Sequence, residues 1–583
     1  MLIKSIFLLF LITYNCKADL LNVEKVYLAE APYAPWAHSH WIWLANPDEN
    51  QTSIIKLLDD YKSYSIPVGG INLDSSWPDK YQNFKWNSKK FPNPKQMIDY
   101  IHSQNVKVIT WITSMVNNDS TNFQEGKQKG YFLNNGKLIK WWRGNGALLD
   151  YSNPNAVAWW HDQMDYLLDI GIDGWKCDGT DPYILELIDA KGYKGHITER
   201  EYADCYYRDF YYHSKAKRGE ALIWARPVDN YKNTLFLNYA PKDVMFSGWV
   251  GDQTGNWEGL KSALTNIIHS AWNNYLNFGM DIGGYRNDKS KLGREKEVFI
   301  RWFQLGAFLP LMENGGNGEH RPWIFGQDVL ENYRKFAWIH NDLSPFFLSS
   351  GTECFLKNIS VIEPIAKKKI PNRVPSTFDY IINHDLFISP IIENTTDLNL
   401  KFPEKNEAWT YWFRANLTMK GSVKKFKIPY NEYPVFIRDG SIIPLNVQSN
   451  YSNMGTEYSK DFITILITRP KHGKHEKSIH EYKSSGYVVR YDLKNLLNQI
   501  DIEISANGNN KYIILLNGIN TEHSNCLLED EKDKFIPLPE RNKSNMFWTD
   551  KKSSFFKENI NQMYIKLVDK NDRGIHLRVK RIY

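Results

Sequence analysis

An α/β chain, a (β/α)8 TIM barrel followed by two C-terminal β-sandwich domains, is predicted by two features of the sequence. From residue 35 to about 350, short apolar strands alternate with amphipathic helices, the pattern of a parallel sheet covered by helices. After about residue 355 the helical period fades, and β-type runs separated by Asn, Gly, Lys and Ser take over.

The strand candidates are AHSHWIWL from Ala37, GGINLD from Gly69, VKVITWITS from Val106, GIDGWKCD from Gly171, LIWARP from Leu222, VMFSGWVGD from Val244, GMDIGGY from Gly279 and FLPLMENGG from Phe308. Eight is the number that closes a parallel barrel. Between them, Ile54, Ile55, Leu57, Leu58 and Tyr61 share a helical face. The pairs Asn93/Pro94, Asn153/Pro154 and Asp181/Pro182 each put a capping residue before a proline suited to a first helical turn. The later runs, among them LFISPII, VFIRDGSIIPL, FITILIT and KYIILLNG, read as two sandwiches meeting near residue 450. The expected division is 1–18 signal peptide, 19–354 barrel, 355–450 proximal sandwich and 451–583 distal sandwich.

The leader MLIKSIFLLFLITYNCKADLL has a basic start, an apolar run from Ile6 to Tyr14, and small residues at Cys16 and Ala18. It reads as a signal peptide, too short to span a bilayer, so a secreted, periplasmic or secretory-lumen location is expected, with no integral membrane segment once it is removed. The net charge is only +6, without a basic block, which excludes the usual nucleic-acid partner. Cys177, Cys205, Cys354 and Cys526 show neither metal-type spacing nor a disulfide framework. No cofactor or metal is expected. Most of the 21 Trp are expected in the core, with sugar stacking as a second use.

The chemistry concentrates at the strands' C-terminal ends, the face on which such barrels build sites. In GIDGWKCDGTDPY, strand alternation puts Lys176 and Asp178 on one side, where an ammonium favours the ionised carboxylate. That suits a nucleophile, and equally a structural ion pair. Asp181, before Pro182, reads as the N-cap of the next helix, and Asp173 lies outside the alternation. Asp252 ends the sixth strand in GWVGDQTGNW beside Trp249 and Trp257, an aromatic setting expected to raise its pKa as a general acid requires. Asp281 in GMDIGGY could fill the same role. Asp74 and Arg226 end the second and fifth strands, as substrate contacts or as barrel-lining ion pairs. An ionised and a protonated carboxyl facing one another are the apparatus of glycoside hydrolysis.

The combination WKCDGTD, GWVGDQTGNW, RWFQLGAFLPLMEN from Arg301, LFISPII and PVFIRDGSIIPL from Pro434 resembles glycoside hydrolase family 31, retaining α-glycosidases built as a barrel followed by proximal and distal sandwiches. The resemblance implies Asp178 as nucleophile and Asp252 as acid/base. It also implies Asp74, Arg226 and Asp281 around the reacting sugar, with Lys176, Trp249 and His320 as further substrate contacts. The expected activity is exo-acting hydrolysis of a terminal α-linked sugar in an oligosaccharide or glycoside. Two departures from the family pattern bear on this: the barrel starts without the usual N-terminal sandwich, and the Lys-x-Asp core resembles α-xylosidase-like and α-galactosidase-like members more than α-glucosidases. The rivals are α-galactosidase or α-xylosidase specificity, a transglycosylase, and a catalytically silent carbohydrate-binding protein.

Overall fold

The computed structural model describes residues 29–229, 237–368, 374–484, 486–494, 499–505, 511–530, 534–568 and 574–581. The expected signal peptide lies outside them. No helix among the described residues is long and apolar enough to cross a membrane.

Seven parallel strands form the barrel ladder: β1 His40–Ile42, β2 Gly70–Leu73, β3 Lys107–Ile112, β4 Gly174–Cys177, β5 Leu222–Ala225, β6 Ser247–Gly248 and β7 Met312–Asn314. Their order is β6-β5-β4-β3-β2-β1-β7. The open edges meet the remaining stave through two isolated parallel bridges, Trp249 to Gly279 and Asp281 to Glu313, so GMDIGGY closes the barrel as single contacts and not as a ladder. Helices fill most of the crossovers. The first, Gln51–Ser63, buries Ile54, Leu57, Leu58 and Tyr61, and the Asn50 side chain caps it in a reciprocal box with Ser53. Asn153 caps Pro154–Asp169 through its side chain, whereas Asn93 stands at the cap position of Pro94–Ser103 without that bond.

Asp181 departs from its expected capping role. Thr180 holds the cap position of the short 3-10 turn Asp181–Glu186, and the long helix Glu199–Arg218 is capped by Thr198 with Glu201. The Asp181 carboxyl is buried and accepts a hydrogen bond from the Tyr207 hydroxyl at 2.9 Å. Burial pushes it up to about 7. Asp173 sits at the strand's opposite end, bonded to His102 (2.8 Å) and Lys107 (3.1 Å).

Tryptophan fills the interior as expected. Trp41 on β1 and Trp224 on β5 meet edge to face across the barrel, ring centroids 4.8 Å apart. Gly70 makes room for this pair, since a Cβ there would lie 2.2 Å from the Trp41 ring. The same apolar core continues into the first sandwich, and a second cluster fills the last one.

The first sandwich's six-stranded sheet ends at Arg438. Strand Ile442–Leu445, which the boundary near 450 had placed with it, pairs antiparallel with Ile463–Thr468 in the five-stranded sheet of the second sandwich. The motif PVFIRDGSIIPL therefore spans the junction, because Asp439–Gly440 turn the chain from one sheet to the next and only hydrogen bonding, not composition, marks the change.

Asp342 ends helix Gln327–Asp342 fully buried. Burial, only partly offset by Ser452 and Asn341, pushes its carboxyl up to about 8. A raised native pKa means that the protonated form is the folded one, so this residue's contribution falls as pH rises from the unfolded value near 4 through 8. Asp342→Asn is expected to raise stability at pH 8 by about 2 to 4 kcal/mol and to leave it nearly unchanged at pH 4, read from urea midpoints at both pH values.

Candidate active site

At the C-terminal face of the barrel lies a cavity of about 280 Å³ lined by Asp74, Lys176, Asp178, Arg226, Trp249 and Asp252, with Trp111, Tyr239, Tyr285, Arg143 and Arg286 around them. Four strand ends supply the charged residues. β4 delivers Lys176 and Asp178 because alternate residues of a strand share a face. β2 delivers Asp74, β5 Arg226, and the turn after β6 Asp252.

Arg226 organises the site. Its Nε donates to Asp178 Oδ1 (3.1 Å), Nη2 donates to Asp252 Oδ1 (2.7 Å), and Nη1 donates to Asp229 Oδ2 (2.5 Å). Nε and Nη2 form one edge of the planar guanidinium, so the two carboxylates stand side by side along a rigid fork. Asp178 also accepts from Trp111 Nε1 (3.1 Å) and from the Gly179 amide (2.8 Å), while the Tyr206 hydroxyl holds its backbone carbonyl (3.0 Å). It is fixed by four groups and keeps a small part of its surface open to the cavity.

Lys176 takes a different partner from the one expected. Its ammonium lies 3.4 Å from Asp74 and over the rings of Trp43 (3.7 Å) and Trp249 (4.8 Å). Burial pulls its pKa down, but Asp74, Asp281, Glu313 and Asp178 together more than reverse this. The cation in contact with Asp178 is Arg226, which sequence spacing could not reveal.

Asp252 is corrected in the same way. Burial pushes its carboxyl up, yet the charge and hydrogen bond of Arg226, with Lys176 and Arg286, hold it below the usual range. The neighbouring tryptophans were visible in the sequence; the guanidinium was not. Arg286 is brought close because residues 253–255 and Arg286 exchange backbone hydrogen bonds.

Asp281 does not line the cavity. It is fully buried beneath it, facing Glu313 of β7, whose Oε2 accepts from Trp43 Nε1 (2.8 Å). Burial and the Glu313 charge push Asp281 well above the usual range, making it the protonated member of the pair. Of the two acid candidates left open by the sequence, only Asp252 reaches the cavity. His320 is also elsewhere: it is buried, with Nδ1 3.0 Å from the Ile282 carbonyl and Nε2 3.2 Å from the Asn317 carbonyl. It braces the loop after β7.

The family model described as the glycosyl hydrolases family 31 TIM-barrel domain matches residues 31–350. The chain belongs to glycoside hydrolase family 31. A second model, the family 31 C-terminal domain, matches residues 368–443. Family relatives include an alpha-xylosidase of Emericella nidulans, 22% identical over 70% of this chain and 53% of its own length. Another is the alpha-xylosidase XylQ of Lactiplantibacillus pentosus, 27% identical over 52% and 40%. The chain thus spans about half the length of the curated relatives it matches. Among solved structures, the cycloalternan-forming enzyme of Listeria monocytogenes superposes with a TM-score of 0.79 at 19% identity, over 95% of this chain and 55% of the other. A Flavobacterium johnsoniae family 31 dextranase gives 0.79 at 17%, over 95% and 71%. Both likenesses speak to the fold.

Proposed function

We propose that this family 31 chain is a retaining α-glycosidase. The observation that carries the reading is the single guanidinium edge holding Asp178 and Asp252 side by side in one cavity. Retention needs carboxyl groups about 5 to 5.5 Å apart, and inversion needs room for a water between groups about 6.5 to 9.5 Å apart. Neighbouring nitrogens of one planar fork favour the closer arrangement.

In this reading, Asp178 Oδ2 attacks the anomeric carbon as Asp252 gives its proton to the departing glycosidic oxygen. The resulting glycosyl ester is then cleaved by water, whose proton returns to Asp252. Arg226 and Trp111 aim the nucleophile. Lys176 and Asp74, paired on the cavity wall, offer the sugar hydroxyls a donor and an acceptor. The Lys-x-Asp core favours a sugar other than the common α-glucosidase substrates, while the relatives carry both alpha-xylosidase and alpha-glucosidase names. We place the protein outside the cytosol on the character of its leader.

The test is an NMR time course with 4-nitrophenyl α-glucoside, α-galactoside, α-xyloside and α-N-acetylgalactosaminide. One of them is expected to be cleaved with the α-anomer of the free sugar appearing first. First appearance of the β-anomer would overturn the retaining reading, and glycan binding without any turnover would favour a silent binding protein.

A further inference from the structure

Beneath the catalytic cavity lies a pair of carboxyls that does not reach the cavity. Asp281 and Glu313 meet through a parallel bridge, both are fully buried, and their carboxyls lie against one another. Neither oxygen of Asp281, nor Oε1 of Glu313, has a donor among the described residues. Only Glu313 Oε2 is satisfied, by Trp43 Nε1 (2.8 Å). Two ionised carboxylates in that position would repel one another with three acceptor atoms unmet, whereas one proton held between them supplies the missing hydrogen bond. The arrangement therefore suits a single negative charge on two side chains.

That charge acts on Lys176. An ammonium carries three donors, yet among the described residues this one has a single acceptor, Asp74, at a long 3.4 Å. Otherwise it meets the ring faces of Trp43 (3.7 Å) and Trp249 (4.8 Å) and the cavity itself. So dry a setting disfavours a cation, and after Asp74 the largest support for its charge comes from Asp281 and Glu313. Glu313 also fixes the platform on which the ammonium rests, because it holds Trp43 by its indole N–H. Gly315, where a Cβ would lie 2.4 Å from the Trp43 ring, lets that ring pack against the backbone after β7. The other charges facing the pair are Asp74, Asp252 and Arg294, and Arg294 donates to the carbonyls of Gly283, Gly284, Asn317 and Glu319.

We propose that Asp281 and Glu313 work as one unit carrying a single negative charge, and that they are positioning residues: they keep Lys176 charged and its free donors turned to a hydroxyl of the reacting sugar, without touching that sugar. The sugar's part in this rests on the glycosidase reading; the shared charge does not.

The experiment neutralises the two carboxyls one at a time and then together. Asp281→Asn and Glu313→Gln each leave one carboxyl to hold the charge, each new amide can still hydrogen-bond its neighbour, and the Glu313→Gln oxygen can still accept from Trp43. Either single variant is expected to lower kcat/KM on the accepted nitrophenyl glycoside by no more than about fivefold. The double variant has no charge left and should fall by about fiftyfold or more, beyond the product of the two single losses. In a Lys176→Met background, where no ammonium remains to be aimed, the same two substitutions should cost less than about twofold further. Urea midpoints should follow the same pattern: small shifts for the singles, a large drop for the double, and recovery when Lys176→Met is added. Losses that merely multiply, a double loss that persists without Lys176, or a single variant that fails to fold would overturn the proposal. If the double variant does not fold, the triple should, and a triple that also fails to fold overturns it. The urea series needs no turnover, so a wild type that cleaves no glycoside removes the glycosidase reading while the shared charge is still judged.

Discussion

Asp178→Asn is expected to lower turnover on the order of 10⁴-fold or more and to leave the protein folded. The amide is a poor nucleophile of nearly the same volume. Its oxygen, placed as Oδ1, still accepts from the Gly179 amide and Arg226 Nε, and Arg226 keeps Asp252 and Asp229 as further partners. Only the bond from Trp111 Nε1 to Oδ2 is lost, where the NH₂ would meet another donor, so a drop in melting temperature of only a few degrees is expected. The check is paired: steady-state rates on the accepted nitrophenyl glycoside, and circular dichroism melts of both proteins. A variant that unfolds would mean that the residue is a structural ion-pair member. A folded variant with more than about a tenth of the wild-type rate would remove Asp178 from the nucleophile's role.

Much of the site could be read from the strand ends. Asp74, Lys176, Asp178, Arg226, Trp249 and Asp252 all line one cavity because the barrel fold converts "last residue of a parallel strand" into "faces the same opening". The pairing of those residues was not legible. Lys176 and Asp178 are two apart in sequence, yet the ammonium turns to Asp74, across two strands, and a residue from β5 takes its place. Partner choice depends on side-chain reach across the barrel, which alternation does not encode. Asp281 shows the same limit. It ends a strand like the others, but it lies buried beside Glu313 of the adjoining stave, and burial with that neighbouring charge pushes its carboxyl up. The motif MEN at the end of β7 carried that signal, a further carboxylate at a strand end, and was passed over. Trp111 could have been found as well, since it stands directly beside Lys176 in the β3–β4 register. Arg143 and Tyr285 lie on loops, where no period relates sequence to position.

On the proposed mechanism, Arg226 also bears on how Asp252 would perform two opposite tasks. The guanidinium beside it holds the Asp252 carboxyl below the usual range, which is wrong for a proton donor and right for a base. The proposed mechanism requires that a sugar seated between the carboxylates exclude water and loosen the contact with Nη2, so that the acid form exists. In the same mechanism, esterifying Asp178 would remove its charge, leave Arg226 with one partner fewer, and turn its field more fully on Asp252, which would then serve as base. Because kcat/KM reports the free enzyme and kcat the bound one, the alkaline limb of the kcat/KM profile is expected at a lower pH than that of kcat. Coincident limbs would show that Arg226 does not control the acid. Removing the carboxyl separates the two tasks. Asp252→Ala is expected to cost on the order of 10²- to 10⁴-fold on a sugar or alkyl leaving group, which must be protonated, and far less on 2,4-dinitrophenyl glycosides, which leave as stable anions. With such substrates the glycosyl ester should accumulate, giving a burst of dinitrophenol followed by a slow phase, since no base remains to activate water. Added azide, an anion that attacks without needing a base, should speed the slow phase and yield the α-glycosyl azide. Equal losses on good and poor leaving groups, with no rescue by azide, would take the acid/base role away from Asp252.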